Sequence, residues 1–166
     1  QVPANIEPRV VEAAKRAHAE GDRVRIVCFN RLLGLWLSDQ VSGLGDGVSA
    51  GHISQFMTEI VGLSKIPEEP SQEFWEKELP ILAAEVLLEE DTPEYFVDQL
   101  VIDEGQDLLK EPFIEFLDLV VKGGLATGKW RMFGDFDNQM IFGQGTMDLD
   151  DFRSKWGSNA PVHLLR

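Results

Sequence analysis

The apolar run Leu100-Val101-Ile102 leads straight into Asp103 and Glu104, and Asp107 follows after Gly105-Gln106. Carboxylates this close together repel one another, so their placement asks for a cation. Three successive apolar residues predict a strand from Gln99 to Ile102, buried on both faces as in a parallel sheet. An acid pair at such a strand end suits Mg²⁺, which takes hard oxygen ligands and keeps much of its water shell. One carboxylate can then hold the hydrated ion while the other orients an attacking water, as phosphoryl transfer requires. The structural alternative is that Asp103 and Glu104 merely cap the following turn.

A second cluster stands further along, where Met132-Phe133 runs into Gly134-Asp135-Phe136-Asp137-Asn138-Gln139 and then Met140-Ile141-Phe142. Here too an apolar run ends in a glycine that permits a tight turn, followed by an acid. The amide of Gln139 could hydrogen-bond a terminal phosphate or the attacking water.

The elements that must position these groups alternate. Helical spacing predicts a helix from Pro8 to Glu20, with Pro8 suited to its first turn and Gly21 to its end. A strand is expected over 23–29, a short apolar helix over 31–38, and a loop over 42–51 that holds a short strand at Val48-Ser49-Ala50. Ile53, Phe56, Met57, Ile60 and Val61 mark an amphipathic helix. Helical patterns follow on both sides of Pro80, which would break one helix or open another. Pro112 opens a further helix, ended by Gly123-Gly124. Short strands are predicted at Arg131–Phe133 and Pro161–Leu165. Strands and helices in alternation predict an α/β fold with a parallel sheet between two helical layers. In such sheets ligands lie beyond the carboxyl ends of the strands, where Phe29-Asn30, Asp103-Glu104 and Gly134-Asp135 stand.

With 166 residues the chain is long enough for one domain with its own core. The single cysteine, Cys28, excludes an internal disulfide framework and fits a reducing, cytoplasmic setting. No apolar run is long enough to span a membrane. A net charge of −14 argues against a generic nucleic-acid binder held by phosphate neutralisation. Nearly all the excess acid lies beyond residue 40, notably over 67–94, where a solvated surface is the plain explanation.

Two of these stretches resemble a known family. "VIDEGQD" is similar to the Walker B motif of UvrD/Rep-type superfamily 1 DNA and RNA helicases, and "GDFDNQMIF" resembles their GDxxQxIY motif. "VCFNRLLGLWL" resembles the family's strand and turn that contact single-stranded nucleic acid, "GHISQFM" its TxHS segment, and "PVHLLR" the strand before its arginine motif. The resemblance implies a single partial RecA-like domain over residues 1–166, with the fold of P-loop NTPases. It implies Asp103 as the Mg²⁺ ligand, Glu104 as the base that activates water and Gln139 as the γ-phosphate sensor. Gln106, Asp107, Gly134 and Asp135 would support the two motifs. Phe29, Asn30 and His52 would face nucleic acid, and Phe142 would offer a base a stacking surface worth roughly 1–3 kcal/mol. Each has a structural alternative: Phe29 and Phe142 as core residues, His52 as a helix cap.

The family's phosphate-binding loop, GxxxxGK[ST], is absent, and so are its arginine motif and its second motor domain. Thr127-Gly128-Lys129 has suitable letters, but it precedes a strand and does not open a helix. Two explanations compete: an excised piece of a longer helicase-like protein, which is favoured, and a natural domain that has lost its ATP loop. Mg²⁺, ATP, single-stranded DNA or RNA and a second RecA-like domain are expected as partners of the intact polypeptide. The chain alone is expected to bind little or no nucleotide. Two other functions compete. One is a non-catalytic module that recruits a protein through Glu68, Glu69, Glu73 and Glu76. The other is a metal-dependent nuclease on Asp103, Glu104, Asp107 and Asp135, ranked last because the nearest lysine, Lys110, lies beyond the predicted strand end.

Overall fold

A computed structural model describes residues 8–105, 109–134 and 162–164. Gln106, Asp107, Asp135, Gln139 and Phe142 lie outside the described residues. Five strands form one parallel sheet in the order β2-β1-β3-β4-β5. They are β1 (Val24–Cys28), β2 (Val48–His52), β3 (Gln99–Ile102), β4 (Lys129–Gly134) and β5 (Val162–Leu164). The middle strand is thus the one that leads into Asp103.

Helices cover both faces. On one side α1 (Pro8–Ala19) and α2 (Arg31–Val41) pack Val10, Ala14, Leu33 and Leu37 onto Val24, Ile26, Cys28 and Val101. On the other, α3 (Ile53–Val61), α4 (Leu79–Glu89) and α5 (Glu111–Val120) pack Phe56, Met57, Ala83, Phe113 and Phe116 onto Val27, Leu100, Ile102 and Met132. A one-turn helix α6 (Gly124–Thr127) leads into β4. The successive apolar residues of β1 and β3 are explained by this double cover, because each strand has no solvent face.

The structure differs from the sequence-based expectations at several element ends. Strand β4 begins at Lys129, two residues before Arg131, and α5 ends at Val120, so that Gly123-Gly124 lead into α6 instead of closing α5. Helix α2 extends past Ser38 to Val41, since Leu37 and Val41 are both buried against the sheet. The strand inside the glycine-rich segment runs two residues beyond Ala50, through Gly51 and His52, which pair with Val27 and Cys28. Of the two roles open to Pro80, the structure realises the second, the opening of a new helix. A π-helical turn, Phe74–Glu78, precedes it, with the Leu79 amide donating to the Phe74 carbonyl, and Pro80 falls in the first turn of α4. A wider turn immediately upstream absorbs the hydrogen bond that proline cannot donate.

The amino ends of the strands are tied together by charges. Asp22 accepts from Gln99 Nε2 at 2.7 Å and Lys129 Nζ at 3.1 Å, while Asp98 accepts from the Arg23 amide at 2.8 Å and pairs with Lys122 at 2.9 Å. These partners hold both Asp22 and Asp98 below the usual carboxylate range. Lys129 opens β4 and bonds Asp22, so Thr127-Gly128-Lys129 has no phosphate-loop geometry. Among the described residues, no helix is long and apolar enough to cross a membrane.

Candidate functional site

Parallel pairing sets the strand ends side by side. Cys28 lies opposite His52, Val27 opposite Ile102, and Ile102 opposite Met132. The residues that follow are therefore neighbours along one edge: Phe29 and Asn30 after β1, His52 closing β2, Asp103 and Glu104 after β3, and Gly134 closing β4.

Asp103 extends the sheet by one more bond, its amide donating to the Val27 carbonyl at 2.9 Å. Its side chain is fully buried, and Oδ1 accepts from the Glu104 amide at 2.9 Å. The chain then turns sharply, with Glu104 at φ +56°. That left-handed conformation costs an ordinary side chain about 1–2 kcal/mol relative to the right-handed region. Glu104 keeps partial access to solvent while Asp103 has none. Of the two carboxylates, Asp103 is fixed below the surface and Glu104 is the one that can meet water.

Cys28 stands beside this pair on β1. Burial pushes its thiol up to about 12, the charge of Asp103 adds to the effect, and a backbone hydrogen bond with Asn30 partly opposes it. The thiol is thus a packed, neutral group and no nucleophile.

Asn30 and His52 both do local work. Asn30 Oδ1 accepts from the Leu33 amide at 3.0 Å, capping α2, although the residue is exposed. His52 Nδ1 accepts from the Ser54 amide at 3.1 Å, capping α3, and the ring donates to the Phe29 carbonyl. Burial moves the His52 pKa down, and the Arg31 charge adds to that against the Phe29 bond. The capping alternative for His52 is therefore realised, and the histidine joins the end of β1 to the start of α3.

Phe29 is half-buried, with its ring centroid 6.0 Å from those of both His52 and Phe113. Lys110 Nζ lies 6.0 Å from the same centroid and forms an ion pair with Glu76 at 3.0 Å. The edge thus carries an aromatic shelf with a cation beside it and a carboxylate pair at the end of the adjoining strand. Among the described residues, no three His, Cys, Asp or Glu side chains are grouped to hold a metal ion.

Sequence reasoning singled out Asp103, Glu104, Phe29, Asn30, His52 and Gly134, and the fold brings all six to one edge. It missed the Lys110–Glu76 pair, whose members are far apart in sequence, and the buried guanidinium of Arg25. The second could have been suspected from the alternation of "RVRIVCF", which puts a charged side chain on an inward-facing strand position. Comparison with protein families, with curated proteins and with solved structures finds no match to the chain.

Proposed function

We propose that this chain is the acid-bearing part of a RecA-like ATPase domain in a superfamily 1 helicase-like protein, which couples ATP hydrolysis to movement on single-stranded DNA or RNA. The observation that carries it is the position of Asp103-Glu104 at the carboxyl end of the middle strand, beside Phe29-Asn30 and His52 on the adjoining ends. Ligand sites of open parallel sheets form at that edge.

Asp103 and Glu104 offer the hard carboxylate oxygens that Mg²⁺ takes, and an ion that keeps most of its water needs no larger protein cage. When bound with ATP, the ion would neutralise phosphate charge. In the proposed assignment Asp103 would hold the hydrated ion from beneath and the partly exposed Glu104 would take a proton from water. Gln139 senses the terminal phosphate, Gln106, Asp107 and Asp135 support the motifs, and Phe29, Asn30 and Phe142 face the nucleic acid. The nucleotide's main grip would come from a phosphate loop outside these 166 residues and from a second motor domain. An acidic recruiting face draws less support, because Glu76 is bound to Lys110 and Gln72, and Glu73 to Lys77.

The test is steady-state ATP turnover by the intact protein with single-stranded DNA or RNA in excess. Glu104→Gln is expected to bind ATP normally and lose turnover. Turnover at the parental rate in that variant removes Glu104 as the base.

A further inference from the structure

Arg25 is a charged residue in the second strand of the sheet, on the face packed by α3, and only 8% of its surface is exposed. Its guanidinium carbon lies 4.2 Å from the centroid of the Phe56 ring, and among the described residues its Nε has no hydrogen-bond partner. Gly51, on the neighbouring strand, makes the room: a Cβ there would fall 3.3 Å from Arg25 Nη2. Burial lowers the pKa of the guanidinium, with the Glu59 charge opposing, yet arginine stays charged in proteins. The buried cation is offset by the Phe56 ring and by the charge of the exposed Glu59, with no hydrogen bond to Nε, so its desolvation is incompletely compensated.

The guanidinium lines a cleft of about 180 Å³ at the amino end of the sheet, opposite the edge that carries Asp103. Ser49, the register partner of Arg25, lines it too, and Tyr95 helps to close it, its hydroxyl donating to the Glu59 carbonyl at 3.4 Å. Three exposed acids, Asp46, Glu59 and Glu94, also line the cleft. Arg23, the other cation, is committed to the Pro93 and Glu94 carbonyls at 3.2 Å each. The cleft therefore has a positive, poorly compensated floor and a negative rim. A simple anion would meet the rim's repulsion, and a simple cation would meet the floor's.

We propose that this cleft binds a small zwitterion, its carboxylate on Arg25 and its ammonium group among Asp46, Glu59 and Glu94. Nε is buried, so the Nη groups of Arg25 are the ones that can meet a ligand in the cleft, and they offer a planar pair of donors to two carboxylate oxygens. Ser49 offers a hydroxyl beside them.

The experiment is an NMR titration of the ¹⁵N-labelled 166-residue chain, read at the Arg25 Nε–Hε resonance. Glycine and δ-aminovalerate, which differ in the spacing of their charges, are compared with acetate and ethylammonium. At least one zwitterion is expected to give a saturable shift with a Kd of about 1 mM, and the single-charge probes to bind about tenfold more weakly. Arg25→Met, with its fold checked by circular dichroism, should abolish saturable binding followed at backbone amides near the cleft. Glu59→Gln, at an exposed position, should weaken the zwitterion and leave acetate unchanged or tighter. No saturable shift with either zwitterion, acetate binding as tightly as both, or binding that survives Arg25→Met would each overturn the proposal.

Discussion

Gly34 in α2 lies so close to His52 at the end of β2 that a Cβ on Gly34 would fall 2.6 Å from the His52 amide nitrogen. The same atom would be 3.1 Å from the Gly51 carbonyl carbon and 3.3 Å from Cys28 Sγ. Glycine in a helix interior is a poor choice on propensity alone, so the contact explains it. Gly34→Ala must push helix from strand at the edge that carries the site. A loss of about 1–3 kcal/mol is expected, the usual cost of overpacking. Urea denaturation measures it, and a neutral or stabilising effect would mean that α2 does not lie so close to β2.

Glu104 supplies a second test of local geometry. Its φ of +56° is ordinary for glycine and strained for alanine. Comparing Glu104→Gly with Glu104→Ala removes the carboxylate in both and isolates the backbone. The glycine variant is expected to be more stable by about 1 kcal/mol, because only alanine keeps the Cβ clash. Equal stabilities would deny the left-handed turn. A strained residue is tolerated when it positions a functional group, which agrees with the place of Glu104 beside Asp103.

The parts of this fold that were legible in the sequence are those with large apolar side chains. Ile53, Phe56, Met57, Ile60 and Val61 marked α3, and Leu100-Val101-Ile102 marked β3. The far end of β2 was not legible, because Gly51 and His52 carry no strand signature and are held there by pairing with β1. The course of the chain past Pro80 depended on a π-helical turn that has no sequence signature of its own. At the site, residue types suggested Asp103, Glu104, Asn30 and His52, and offered His52 as a helix cap, but did not show that Asn30 Oδ1 caps α2.

That cap makes stability depend on pH. His52 must stay unprotonated at Nδ1 to accept from Ser54, and burial lowers its pKa in the folded protein below the ordinary value. A base whose folded pKa is depressed binds fewer protons when folded, so stability rises with pH through that interval. The contribution is fully present above the unfolded value near 6.5 and is lost as pH falls toward the folded one. The slope from this residue cannot exceed about 1.4 kcal/mol per pH unit. His52→Asn keeps a capping acceptor without a titrating ring, so it should flatten the stability profile as pH falls below about 6.5. An unchanged slope would assign that pH dependence to other groups. The acids Asp22, Asp98 and Glu76, all held below the usual carboxylate range, lose their contributions at lower pH.

Cys28 allows the packing beneath the site to be probed without mutation. With its thiol pushed up to about 12, the native protein at pH 8 holds a thiolate fraction on the order of 10⁻⁴. Reaction with a disulfide reagent should therefore be slow and limited by opening of the structure, and urea should accelerate it in step with unfolding. Fast stoichiometric labelling of the native chain would show that Cys28 is neither buried nor beside the Asp103 carboxylate.

Asn30 separates the structural use of this edge from the proposed one. Its Oδ1 is occupied by the Leu33 amide, which leaves the Nδ2 donors of an exposed side chain for a nucleic acid. Asn30→Asp preserves the capping oxygen, so stability should change by less than about 0.5 kcal/mol. It replaces the donor with a negative charge, however, and should weaken binding of the intact protein to single-stranded DNA or RNA about tenfold, near 1.4 kcal/mol. Asn30→Ala loses the cap as well and should cost about 1 kcal/mol of stability. Fluorescence anisotropy with a labelled oligonucleotide, beside urea denaturation of both variants, reads the two effects separately. If Asn30→Asp binds nucleic acid as the parent does, Asn30 serves the helix alone and the nucleic-acid path lies elsewhere.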